Sequence, residues 1–144
     1  MNKICTSIEQ SKKLIKLGIN VNTADMMWEY KPDKEVYWDK PTIIPIDSYI
    51  FINDIPAWSL SALMNLLPSE FTEVGKYSTT TYVIKIRKYN LIEDVNLHQI
   101  AYGNYKIYED GSSYWKDMIN TGEKEDFLDA VFEMVCWLKE NGKI

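Results

Sequence analysis

The sequence predicts an α+β fold: an antiparallel sheet packed with three helices, one N-terminal, one central and one C-terminal. Three observations predict it. Segments with apolar residues at helical spacing stand at both ends of the chain. A nearly all-apolar stretch bounded by prolines, DIPAWSLSALMNLLP at 54–68, lies near the middle. Between them run segments rich in β-branched and aromatic residues, joined by hairpin-length connections rather than crossovers. A chain of 144 residues with 46% hydrophobic content is expected to fold as a single globular domain over residues 1–144.

The first helix is expected to start at Thr6 or Ser7, because Thr6/Glu9 and Ser7/Gln10 both stand at capping-box spacing. Ile8, Leu14, Ile15 and Leu17 supply its apolar stripe. Lys12, Lys13 and Lys16 fall toward its C-terminal half, where they oppose the helix dipole, and Gly18 ends it. Met26, Trp28 and Tyr30 then alternate as a strand, with a short helix capped by Thr23 as the competing reading. Pro32 and Asp33 suggest a turn, with Val36 and Trp38 on the return strand, and residues 48–52 read as a further strand.

The stretch 54–68 reads as a short helix buried on most of its circumference, with Pro56 near its start, Ser59 as a cap and Pro68 as its terminator. Residues 69–78 read as a loop. Residues 79–89 form the clearest strand, with Tyr82, Ile84 and Ile86 on one face and Thr81, Val83, Lys85 and Arg87 on the other. Residues 99–108 follow as a strand with Tyr102, Asn104, Lys106 and Tyr108 on one face. Asp110-Gly111 marks a turn, and residues 113–119 return as its partner. The last helix is expected over residues 124–141, capped by Thr121 and ended by Gly142. Phe127, Val131, Met134, Val135 and Leu138 form its stripe, widened by Leu128 and Trp137.

Charge and cysteine content narrow the function classes. A net charge of −5 disfavours broad binding to a phosphate backbone and favours a protein or small-molecule partner over nucleic acid or an anionic membrane. The opening residues lack the apolar core of a secretory signal, and no window is long and apolar enough to span a bilayer. Two cysteines, Cys5 and Cys136, are too sparse for a disulfide framework, so both are expected to be reduced and the compartment cytoplasmic.

Three blocks carry a resemblance. CTSIEQSKKLIKLGINVNTADM at 5–26, DIPAWSLSALMNLLP at 54–68 and DAVFEMVCWLKENGKI at 129–144 together resemble a group of short uncharacterised proteins from genomes, prophages and mobile elements of gut Bacteroidales. That group brings no assigned activity. The resemblance implies an intracellular bacterial or phage protein and transfers no site residue.

Several constellations carry candidate chemistry. Asp126, Asp129 and Glu133, with Glu125 beside them, are spaced to share one face of the last helix. Such a face can hold Mg²⁺ in a hydrolase when a second helix supplies further acids. The first helix offers only Glu9 and the central one none, so a solvated helix face is preferred. His98 is the only histidine and stands at no metal-site spacing to either cysteine, which favours a structural place on a strand edge. Cys136 lies near a helix C-terminus, where the dipole disfavours a thiolate. Cys5 lies nearer a favourable end but has no neighbouring base. No G-x-S-x-G, P-loop or dinucleotide fingerprint is present, and no cofactor is expected.

Lys85, Arg87 and Lys88, with Lys76 and Lys106, could form a basic patch. Tyr89, Tyr102 and Tyr108 could add stacking surfaces of the kind single-stranded nucleic acid uses, although a charged outer sheet face is the plainer reading. The aromatic tract AYGNYKIYEDGSSYW at 101–115 is the strongest candidate surface, with Tyr102, Asn104, Lys106 and Tyr108 as its expected ligand or partner residues. The leading expectation is a small non-enzymatic interaction protein that binds another protein through this face, with self-association left open. A metal-dependent hydrolase using the last helix is the alternative, and a weak single-stranded nucleic-acid binder the second.

Overall fold

The computed structural model describes residues 3–31, 41–44, 53–90 and 95–144. Within them the chain has three helices and two antiparallel sheets, an α+β architecture. Helix α1 covers Ile8–Lys16 and begins with a full capping box. Ser7 Oγ accepts from the Gln10 N–H at 3.1 Å, and Gln10 Oε1 accepts from the Ser7 N–H at 3.0 Å. Gly18, at φ +87°, turns the chain so that Ile19 donates back to the Leu14 carbonyl at 3.0 Å. Leu14 and Ser11 form the buried line of α1. Ile15, expected on the stripe, is exposed because it lies one residue round from Leu14.

Strand β1 (Met26–Trp28) is the centre of a three-stranded sheet between β2 (Pro41–Ile43) and β3 (Ile55–Ala57). The return strand expected at Val36 and Trp38, and the strand expected over 48–52, lie outside the described residues. The stretch 54–68 is not one helix. Its first part is β3, where Pro56 is tolerated because β3 is an edge strand. The chain then bends at Ser59, whose N–H and Oγ both donate to the Asp25 carboxylate, and helix α2 occupies only Leu60–Leu66.

Burial of the stretch follows the sequence expectation only in part: Ala57, Trp58 and Leu63 are fully buried, but within α2 only Ala62 and Leu63 are buried, and Ser61 and Asn65 are exposed. A fully buried side chain of leucine size contributes about 1.5–3 kcal/mol relative to an exposed one. The polar cost beneath Trp58 is met locally. Thr6 Oγ1 accepts from the Trp58 N–H at 3.0 Å and shares a 2.7 Å hydrogen bond with the buried Ser11 hydroxyl.

The larger sheet runs β4 (Glu70–Val74), β5 (Thr79–Asn90), β6 (Asn96–Ile107) and β7 (Ser113–Asn120), each antiparallel to its neighbour. Strand β4 occupies part of the segment expected as a loop. Only Phe71 of its five residues is buried, so the alternation was too weak to read. Phe71 packs its ring against Tyr82 and Tyr102, with centroids 5.4 and 5.1 Å apart.

Helix α3 (Phe127–Glu140) covers the same face of the sheet and buries Leu128, Val131, Met134, Val135 and Leu138. It starts later than expected, with Asp126 as its cap. Thr121, the expected cap, instead closes β7, its hydroxyl accepting from the Ile100 N–H at 3.1 Å.

Candidate functional site: the forked end of the sheet

Strand register creates the most distinctive surface. The ladder between β5 and β6 runs from Asn90/Asn96 to Val83/Gly103 and stops there. Beyond that point Thr79–Tyr82 stay paired only with β4, and residues 104–107 only with β7. The sheet therefore forks into two hairpin arms. A bulge starts the divergence. Tyr102 faces Ile119 while Gly103 faces Asp117, so Met118 is an extra residue on β7 and increases the local twist. Gly103 is required at this place, since a Cβ there would lie 2.2 Å from the Lys116 carbonyl oxygen.

The turn at the end of the β6–β7 arm falls where its Asp-Gly pair implies, but three residues, 109–111, lie inside the closing pair, in which the Tyr108 N–H donates to the Ser112 carbonyl at 2.8 Å. Gly111 sits at φ +89°, and Asp110 accepts from the Ser112 N–H at 2.8 Å. The arm extends past the core, and its apolar side chains are open: Tyr105 is 64% exposed, Ile107 77%, Tyr108 54% and Tyr114 39%. The rings of Tyr108 and Tyr114 pack together, tilted by 35° with centroids 4.4 Å apart.

On the same side as those rings, Lys106 faces Tyr114 and Lys116 faces Asn104. A cleft of about 300 Å³ opens at the crotch of the fork, lined by Tyr82, Asn104, Lys106, Lys116, Asp117 and Met118. Among the described residues neither Lys106 nor Lys116 forms an ion pair.

Three of the four expected surface residues, Asn104, Lys106 and Tyr108, thus share this side of the arm. Tyr102 does not belong with them. It is fully buried in the core against Phe71, and its hydroxyl donates to the Pro68 carbonyl at 2.6 Å. Alternation puts Tyr102 on the right face, but that part of the face is covered by the core. Burial raises its phenol well above the ordinary tyrosine range.

The opposite face of the sheet carries a charged and aromatic network. Arg87 donates to both carboxylate oxygens of Asp117, at 2.8 and 2.7 Å, and to Gln99 Oε1 at 2.9 Å. Trp115 Nε1 also donates to Asp117. Its ring meets Tyr105 edge-on at 5.3 Å and lies 4.7 Å from Lys85 Nζ. The Arg87 hydrogen bond, despite an opposing desolvation cost, holds the Asp117 carboxyl at about 2.

The expected basic patch is therefore divided. Lys85 and Arg87 lie on this network face with Arg87 neutralised by Asp117. Lys88 pairs with His98 on the other face, and Lys106 lies in the cleft.

Asp126 and Asp129 both meet Lys3, and Asp129 and Glu133 line one cavity of about 540 Å³, but each of the three carboxylates is engaged by protein donors. Asp126 accepts from the Lys3 and Leu128 N–H groups at 2.8 and 2.9 Å. Asp129 Oδ1 accepts from Lys3 Nζ at 2.7 Å and Gln10 Nε2 at 2.8 Å, and Glu133 pairs with Lys124 at 2.8 Å. Among the described residues no group of three His, Cys, Asp or Glu is placed to hold a metal ion.

His98 stacks on Phe127 with ring centroids 5.2 Å apart, and its backbone pairs with Lys124. Cys5 and Cys136 are free thiols, both buried. Burial, reinforced by nearby Asp25 in the case of Cys5, pushes each up to about 11. That overrides the favourable helix-end position read for Cys5.

Sequence reasoning missed Tyr82, Lys116 and Met118 as parts of the forked end; Tyr105 and Tyr114 fall within the tract 101–115 read as a surface but not among its four named residues. A two-residue Asp110-Gly111 turn would set Lys106 against Trp115; the observed loop, closed by the Tyr108 N–H donating to the Ser112 carbonyl, shifts the register by one and sets Lys106 against Tyr114 and Asn104 against Lys116. The bulge at Met118 had no comparable signal.

Fold and site together define an α+β chain whose larger sheet ends in a fork with an exposed aromatic arm. The chain matches no protein-family model, and no curated protein or solved structure gives a match. Among the described residues no helix is long and apolar enough to cross a membrane.

Proposed function

We propose that the chain is a cytoplasmic, non-enzymatic interaction protein of bacterial or phage origin that binds another protein through its β6–β7 arm. One observation carries this reading: Tyr105, Ile107, Tyr108 and Tyr114 are all exposed on an arm that extends past the core. Tyrosines of this kind bring large contact area at small entropic cost, the property that enriches them at protein interfaces. Asp126, Asp129 and Glu133 are engaged by Lys3, Gln10 and Lys124, which favours binding over hydrolysis at that helix.

The test compares capture of partners by the tagged wild-type protein with capture by a Tyr105→Ser, Tyr108→Ser variant in lysate of the native host. Both residues are exposed, so the variant is expected to keep the wild-type circular dichroism spectrum while losing most of the bound partner. Equal recovery of the same partner by both proteins removes the arm from consideration.

A further inference from the structure

The fork leaves strand edges open on its inside, and alternation identifies the backbone groups concerned. Ile84 donates its N–H to Ser69 on the β4 side, so Thr79, Thr81 and Val83 of β5 direct their backbone groups toward β6. On β6, His98 and Ile100 pair with Lys124 and Thr121 on the β7 side, so Gly103, Tyr105 and Ile107 direct theirs toward β5. The ladder ends at Val83/Gly103. Beyond it, the N–H and C=O groups of Thr79, Thr81, Tyr105 and Ile107 point into the fork without a ladder partner.

Lys106 on β6 and, one strand further from the open edge, Lys116 on β7 line the cleft on one face of the fork, and neither has an ion-pair partner among the described residues although the chain as a whole carries −5. Open strand edges and a local positive charge meet at one cleft.

We propose that the fork receives an extended, acidic segment of the partner protein, which adds as a strand to the inner edge of β6 and sets its carboxylates against Lys106 and Lys116. This rests on the reading of the arm as a protein-binding surface. Backbone pairing supplies affinity in such strand addition, and the side chains on each face supply selectivity. Side chains of the added strand alternate between the two faces of the sheet. Those on the Lys106 side are acidic, while those on the other side lie near Tyr105 and Ile107 and are apolar. The expected partner segment therefore alternates acidic and apolar residues. A phosphodiester chain could meet the lysines but offers no N–H groups at strand spacing to the open carbonyls. The acidic surface elsewhere on the chain repels such a segment and confines it to the fork.

The test uses fluorescence anisotropy with a short, end-capped, labelled peptide of alternating glutamate and valine. The wild-type protein is expected to bind it, with affinity falling as salt is raised. A Lys106→Glu, Lys116→Glu variant, both changes being on exposed side chains, is expected to keep its circular dichroism spectrum and weaken binding about tenfold or more. N-methylation of alternate peptide amides is expected to weaken binding to a similar degree. Undiminished binding by the lysine variant, or by the N-methylated peptide, overturns the proposal. So does tighter binding of oligothymidine than of the peptide. Absence of peptide binding alongside arm-dependent capture of a protein overturns the acidic-strand inference alone. Loss of arm-dependence in the capture experiment overturns the underlying reading as well.

Discussion

Arg87 on β5 and Asp117 on β7 form a two-point ion pair that reaches across the intervening strand β6, where Ala101 and Gly103 leave room for it. Both partners are mostly covered, with side-chain exposures of 20% and 24%. Asp117 titrates at about 2 instead of near 4, chiefly because Arg87 donates to it. A depressed carboxyl contributes stability above its unfolded value and loses it as pH falls toward the folded value. The contribution of this pair is therefore present at pH 7 and disappears between about pH 4 and pH 2. Asp117→Asn is expected to destabilise the protein by about 1–2 kcal/mol at pH 7, allowing for partial solvent screening. Urea unfolding at pH 7 and at pH 2 checks this: the difference between variant and wild type should shrink at the lower pH.

Gly103 faces the Lys116 carbonyl so closely that a methyl group cannot enter without moving backbone. Gly103→Ala is expected to cost about 2 kcal/mol or more, through displacement of β6 from β7. Thermal unfolding measures the loss. An unchanged midpoint would contradict the close approach at the fork.

Tyr102 combines full burial with a hydrogen bond to the Pro68 carbonyl. Tyr102→Phe leaves that carbonyl short of its donor and is expected to cost about 1–3 kcal/mol. Tyr102→Ala opens a cavity under α3 and β4 and is expected to cost about 3–5 kcal/mol. Because burial raises the folded-state phenol above its ordinary value, its contribution is full below that value and is lost as pH rises past it. Denaturant unfolding of wild type and Tyr102→Phe at neutral and strongly alkaline pH measures both effects.

Cys5 and Cys136 are buried thiols with values near 11, so few thiolates exist at pH 8. Both are expected to resist iodoacetamide in the native protein and to react promptly in urea. Mass spectrometry of the alkylated chain distinguishes the two states. Rapid labelling of native Cys5 would place it outside the core.

Much of the secondary structure was legible because it obeys local rules. The Ser7/Gln10 box, Gly18, and the Asp110-Gly111 turn each act within a few residues of chain. Strand β4 escaped because one inward aromatic makes no period, and 54–68 was misread because apolarity alone does not separate a buried strand from a buried helix. The cap read at Ser59 holds, its hydroxyl accepting from the Ala62 N–H at 3.2 Å so that the helix begins at Leu60; only residues 55–57, a strand paired with β1, depart from the helix reading. On the candidate surface, period-two alternation correctly grouped Asn104, Lys106 and Tyr108. It also admitted Tyr102, because alternation tells which face a residue takes and not where the core beneath that face ends.

By itself the sequence determined an α+β chain whose central stretch is partly buried and whose aromatic tract from 101 to 115 forms a hairpin. Local propensity, capping and hydrophobic period are properties of neighbouring residues, and they need no knowledge of distant contacts. Tertiary structure alone decided that the sheet forks at Gly103, that Arg87 is neutralised by Asp117, that the α3 carboxylates are held by Lys3, Gln10 and Lys124, and that Lys106 and Lys116 are left without ion-pair partners among the described residues. Each of those outcomes depends on strand register and on long-range pairing. A single bulged residue, Met118, changes the register, and no local pattern announces it.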